Sequence, residues 1–138
     1  DESLLGRIKK NPNIKYLGNI DNRNVLRDVY SVSNAVVVPS VLDNSPNILF
    51  EANACSVPVV AFDNSGVKDF ILHKKTGWLA KNRDLHDLAM GINWCVSHKN
   101  QKFLKTNARK FCVKNYSEKV ISNTYIKLYK KIISNEAM

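Results

Sequence analysis

The stretch Pro39-Ser-Val-Leu-Asp-Asn-Ser-Pro-Asn-Ile-Leu-Phe-Glu-Ala-Asn-Ala-Cys-Ser-Val-Pro58 decides the fold of this chain. It follows Asn34-Ala-Val-Val-Val38, a continuous apolar run rich in β-branched residues, as in a strand covered on both faces. Ser45 stands where a helix N-cap belongs and Pro46 where a first helical residue belongs, because proline's missing N–H costs nothing there. Ile48, Ala52 and Cys55 fall at i, i+4 and i+7 and predict one apolar stripe lying on a sheet. Val57-Pro-Val-Val-Ala-Phe62 begins the next strand, where proline is tolerated near the start.

Chemistry follows from that geometry. The first N–H groups of a helix have no internal partner and carry partial positive charge, so the Asn47 and Ile48 amides form a cradle for phosphate. Helical side chains lean toward the N-terminus, so Glu51 is expected to reach back toward a ligand at that end. A carboxylate repels phosphate but accepts two hydrogen bonds from a diol such as a ribose. Asp43, eight positions earlier on the other side of the turn, suits a second polyol. A diphosphate flanked by two polyols describes a nucleotide sugar.

At these residues the chain resembles the donor-binding half of the family 4 retaining glycosyltransferases, which have the GT-B fold. Their signature is an acid, seven residues and a Glu, then Ala-x-Ala-Cys-Gly-x-Pro-Val-Val. Here it runs from Asp43 to Glu51, then Ala52-Asn-Ala-Cys-Ser-Val-Pro58-Val-Val, and Asp43-Asn-Ser-Pro-Asn47 matches the loop spelling of a subgroup. Asp43 is one methylene shorter than the usual Glu, which bears on the donor sugar, and Ser56 replaces the usual Gly, a change expected to matter little. The resemblance extends from about Asn13 to Ala89. It implies that Glu51 binds the ribose and Asp43 the donor sugar, the two catalytic candidates. It also implies that Asn44, Ser45, Pro46, Asn47 and Ile48 hold the distal phosphate, and that Gly18, Asn19 and Ile20 lie against the base. The implied donor is a nucleotide sugar carrying a hexose, a UDP- or GDP-sugar in such enzymes, and a UDP-sugar is the expectation here, with no single residue deciding the base. No metal or other cofactor is implied, and no Asp-x-Asp motif is present. The acceptor is a glycan or a lipid-linked sugar, and the loop spelling suggests bacterial surface-polysaccharide assembly. The family's preceding strand, with its glycine-rich turn and diphosphate-neutralising Arg and Lys, has no counterpart before Asn11. The expectation is therefore a fragment, inactive alone, of an enzyme whose N-terminal acceptor-binding domain lies outside this sequence.

Composition bounds the remaining choices. A chain of 138 residues makes one domain that buries roughly two-thirds of its unfolded surface. At 44% hydrophobic and 24% charged residues it has an ordinary globular composition. No apolar run approaches the ~20 residues that span a bilayer. Cys55, Cys95 and Cys112 are odd in number and share no ligand spacing with His73, His86 or His98, which argues against structural zinc. Free buried thiols suit a reducing cytoplasm. The net charge of +9 is concentrated late: ten Lys or Arg against the single acid Glu118 between Lys99 and Lys131. The basic helices of residues 99–138 thus suit an anionic membrane surface, placing the protein in the cytoplasm with a peripheral position at the membrane's inner face. Plain solvation of two lysine-rich helix faces is the reading favoured over membrane contact. Nucleic acid is not an expected partner, since no aromatic platform or arginine stripe accompanies the charge.

Along the chain, Leu4, Leu5 and Ile8 predict the end of a helix broken at Asn11-Pro-Asn. Ile14-Lys-Tyr-Leu17 predicts a short strand before Gly18, whose backbone can approach a ligand closely. Asn22 or Asn24 caps a helix with an apolar side of Val25, Leu26 and Val29. Asp63-Asn-Ser-Gly66 reads as a loop, Val67–Ile71 as a short helix in which Asp69 is structural, and Lys75-Thr-Gly-Trp-Leu-Ala80 as an edge strand. Asp84 caps a helix whose stripe is Leu85, Leu88, Ala89, Ile92 and Cys95, with Asp87 complementing its positive end. A further helix packs through Phe103, Leu104, Ala108, Phe111 and Cys112. Ser117 caps the last, marked by Val120, Ile121, Tyr125, Leu128 and Ile132. Strands alternating with helices predict an α/β fold, a Rossmann-like parallel sheet flanked by helices, with ligands beyond the carboxyl ends of the strands. In the terms of the resemblance this is the C-terminal half of a GT-B fold with its first strand missing. The alternatives are an epimerase or phosphorylase on the same fold, and a non-enzymatic membrane-binding module.

Overall fold

The computed structural model describes residues 6, 8, 10–42, 47–64 and 66–136, with side chains through residue 134. The elements run α1 (Arg23–Val32), β1 (Val36–Val38), α2 (Asn47–Ala54), β2 (Val59–Phe62), β3 (Gly77–Ala80), α3 (Leu85–Val96), α4 (His98–Tyr116) and α5 (Glu118–Glu136). The described strands form one parallel sheet in the order β1-β2-β3, with Val36 opposite Val59 and Val60 opposite Trp78. All four residues of the central β2 are buried, as its unbroken apolar run demands. Alternation along β2 sends Val59 and Ala61 into a core shared with Val36, Val38, Leu49, Ala52 and Tyr30. Val60 and Phe62 enter the opposite core, with Ala80, Leu88, Cys95 and Leu104. Helices therefore cover both faces, and the Rossmann-like α/β architecture holds. Gly77 permits the β2–β3 contact: a Cβ there would lie 1.9 Å from the Val59 carbonyl oxygen.

Local chemistry sets the element ends. The Asn22 side chain accepts from the Asn24 and Val25 amides and starts α1. α2 closes through bonds from Ser56 N–H to Asn53 C=O and from Val57 N–H to Ala52 C=O, with Ser56 at φ +63°. Glycine adopts that left-handed backbone without cost whereas an L-residue is strained in it, so Ser56 matters more than its small size suggests. Asp84 caps α3 by accepting from Asp87 N–H.

Several sequence expectations need correction. Ile14–Leu17 is not a strand: no described strand lies beside it, and Ile14, Tyr16 and Leu17 are about half exposed. The Ile14 amide turns back to the Asn11 carbonyl at 3.0 Å instead of entering a ladder. Val67–Ile71 forms turns rather than a helix, closed by a Phe70 N–H to Val67 C=O bond. Five residues repay too little of helix nucleation. The buried face of α2 is Leu49, Ala52 and Asn53, with Ile48 and Cys55 on its flank. In α1 the buried residue is Tyr30, while Val25 is exposed. In α3, Asp87, Leu88, Gly91 and Cys95 face inward, and Leu85 and Ala89 do not. Phe103 of α4 is exposed, leaving Leu104, Ala108 and Cys112 as the packing face. Among the described residues, Gly6, Ile8 and Lys10 have helical backbone; Leu4 and Leu5 lie outside them.

Candidate functional site

The carboxyl ends of β1 and β2 lead into two loops that hold one another. Asn64 Nδ2 donates to the Ser40 carbonyl at 3.1 Å, and Asn64 Oδ1 accepts from Gly66 N–H. From the first loop the chain enters α2 at Asn47, which is exposed, followed by the half-buried Ile48. The first amides of this helix lack intrahelical acceptors. The predicted phosphate cradle is thus described at Asn47 and Ile48, whereas Asp43, Asn44, Ser45 and Pro46 lie outside the described residues.

Glu51 sits one turn into α2, and its carboxylate points across to α1. Tyr30 Oη donates to Glu51 Oε2 at 2.9 Å. The two helices enclose an open hollow of about 380 Å³ around this pair. Arg23, Leu26, Arg27 and Tyr30 line it from α1 at positions i, i+3, i+4 and i+7, a single helical face. Glu51 lines it from α2 together with Ala54 and the following Cys55. Burial pushes the Tyr30 phenol pKa up, and the hydrogen bond to Glu51 and its negative charge push it further. The hydroxyl therefore remains a donor throughout the neutral range. Arg27 is engaged by Asp28 at 2.9 Å on the exposed side, a pair of little energetic weight. Arg23 forms no ion pair with a described residue.

Gly18, Asn19 and Ile20 do not line this hollow. Gly18 has φ +68° and open space where a Cβ would stand, so the turn itself calls for glycine. Asn19 donates to Asp21 across that turn, and Ile20 is half-buried. Asp69 offers its carbonyl to the Tyr116 hydroxyl, a structural role. Sequence reasoning missed Arg23 and Tyr30. Their common helical face was readable, but two arginines on a face read as solvated.

A second hollow, about 430 Å³, lies between the turn preceding β3 and the C-terminal half of α4. Lys75, Lys110 and Lys114 line it with Asn107, Asn115 and the buried Thr76, and among the described residues no carboxylate does. It stands at the amino end of β3, away from the loops that follow the strands.

A parallel sheet covered on both faces, with a helix entering from its carboxyl edge and a carboxylate-bearing hollow on that helix, defines a Rossmann-like ligand-binding domain. Residues 3–111 match the family model of the glycosyl transferases group 1, and the chain belongs to that family. It is 30% identical over 100 residues to the N,N'-diacetylbacillosaminyl-diphospho-undecaprenol alpha-1,3-N-acetylgalactosaminyltransferase of Campylobacter jejuni, covering 72% of this chain and 26% of that protein. Its fold matches the sucrose-phosphate synthase of Thermosynechococcus elongatus with a TM-score of 0.84 at 24% identity, over 97% of this chain and 34% of that one. It also matches HepE of Anabaena, solved in complex with UDP, with a TM-score of 0.81 at 19% identity, over 94% of this chain and 35% of that one. The expected GT-B glycosyltransferase relationship therefore holds. The chain spans about a quarter to a third of the length of the curated relatives it matches.

Proposed function

We propose that this chain is the donor-binding part of a retaining glycosyltransferase that moves a hexose from a UDP-sugar to a glycan or lipid-linked acceptor. The observation that carries the reading is Glu51, a carboxylate held on α2 beside an open hollow in a chain of the glycosyl transferases group 1. In this reading Glu51 accepts the two ribose hydroxyls, and the Asn47 and Ile48 amides, with Asn44, Ser45 and Pro46, take the distal phosphate. Asp43 contacts the donor sugar, and Gly18, Asn19 and Ile20 border the base. As the bond from the sugar to the diphosphate breaks, charge grows on the departing phosphate oxygens, where helix-end amides lower its energy without a metal. An acceptor-binding N-terminal domain is the partner this reading requires.

A calorimetric titration of the intact protein with UDP, GDP and UDP-glucose tests this. One nucleotide should bind saturably, and Glu51→Ala should weaken it by about 1–3 kcal/mol, the scale of a charged hydrogen bond. Unchanged affinity in the variant removes Glu51 from the site.

The lysine-lined hollow of α4 favours a second, compatible reading, contact with an anionic membrane surface by a cytoplasmic, peripheral protein. Among the described residues no helix is long and apolar enough to cross a membrane. Salt-sensitive binding to vesicles containing anionic lipid, weakened by Lys110→Glu, is the expected outcome.

A further inference from the structure

We propose that Tyr30 is a positioning residue for nucleotide recognition, its hydroxyl fixing the Glu51 carboxylate in the orientation that receives the ribose diol; this rests on the donor-binding reading above. Two vicinal hydroxyls are read well only by a carboxylate whose plane is held still. Glu51 is exposed on α2 and has three rotatable bonds, so left alone its carboxylate would be ordered only on binding, at an entropic cost. Tyr30 removes much of that freedom. Its ring is 8% exposed and packed in the core with Val36, Val38 and Leu49, so the core sets where its hydroxyl stands.

The geometry divides the two carboxylate oxygens between tasks. Oε2 accepts from Tyr30 Oη at 2.9 Å. No bond from a described residue engages Oε1, and Glu51 lines the hollow. Neither arginine competes for the carboxylate: Arg27 is paired with Asp28, and Arg23 forms no ion pair with a described residue. Burial, the hydrogen bond to Glu51 and the Glu51 charge keep the phenol protonated through the neutral range, so the donor stays in place there. A tyrosine that merely tied α1 to α2 would need no carboxylate facing an open hollow.

The test uses the intact protein, the nucleoside diphosphate it binds (UDP or GDP) and the 2',3'-dideoxy form of that nucleotide. Tyr30→Phe keeps the ring and removes only the donor. It should raise the Kd for the ribonucleotide by about three- to tenfold and leave the dideoxy Kd unchanged. Glu51→Gln should show the same selectivity, and the double variant should lose little more than Glu51→Gln alone, because the two residues act as one unit. Equal weakening of both ligands in Tyr30→Phe assigns Tyr30 a structural role and overturns the proposal, as does no weakening of either. A folding defect falls on both ligands alike and is recognised in that way. If Glu51→Gln weakens both ligands equally, or neither, the donor-site reading fails first. Loss of discrimination in Glu51→Gln with full retention in Tyr30→Phe overturns only the role of Tyr30.

Discussion

Asp87→Asn should cost the protein about 2–4 kcal/mol at neutral pH, although it changes one atom of a buried side chain. The Asp87 carboxylate joins α3 to β3: Oδ2 accepts from Lys81 N–H at 2.8 Å and Oδ1 from Trp78 Nε1–H at 3.0 Å. Both partners only donate. Asparagine has one accepting oxygen, so in either rotamer its NH₂ group faces one of the two donors. One charge-assisted hydrogen bond, worth about 1.5–3 kcal/mol, is lost, and one of the two donors is left facing the NH₂ of a residue that is only 9% exposed. The pH dependence separates this cause from simple loosening. The Lys81 amide chiefly holds the Asp87 carboxyl below its ordinary 3.8; the Trp78 indole and the Lys81 charge add to that, while burial opposes it. A depressed folded pKa contributes stability that is complete above the unfolded value and is lost as pH falls through the folded one. In urea unfolding, the gap between wild type and Asp87→Asn should stay constant from about pH 7 to about pH 5 and close only below 3.8. A gap under about 0.5 kcal/mol at neutral pH, or one that closes above pH 5, refutes the two-donor account.

The other predictions concern the loops around the sheet. His73 Nδ1 accepts from Leu79 N–H at 3.1 Å, and burial, followed by the neighbouring Lys74 charge, lowers the His73 pKa below 6.5. The unfolded chain then takes up a proton first, so stability should be level above pH 6.5 and fall as pH drops below it. His73→Gln should flatten that slope in urea midpoints compared across this range. Ser56→Gly should raise stability by up to about 1 kcal/mol, because φ +63° strains an L-residue but not glycine; an unchanged or lower melting temperature would contradict that strain.

How far the sequence could be read depended on whether a residue's neighbours lay close along the chain. β1 and β2 were legible as strands because an apolar, β-branched run needs no partner to declare itself. Only Val59–Phe62 is buried on both faces: Val37 of β1 is exposed, against the expectation that this strand is covered on both. Asn22 and Asp84 were legible as caps because each bonds an amide two or three residues away. Ile14–Leu17 has the composition of a strand, yet a ladder takes two segments, and no described strand stands beside it. In Ile48-Leu49-Phe50, three apolar residues in succession leave the buried face of α2 undecided by a full helical step until the sheet selects Leu49. The functional site shows the same limit most clearly. Glu51 could be singled out from its place in a motif, but the group that holds it is 21 residues away on another helix. On α1 the face of Arg23, Leu26, Arg27 and Tyr30 mixes charge with an aromatic ring, a pattern that by itself marks a solvated helix side. Only packing against α2 turns that face into the wall of a hollow. Motif residues therefore locate the chemistry, and the residues that orient them must be sought on the neighbouring element, at the boundary where a core side chain ends in a polar atom.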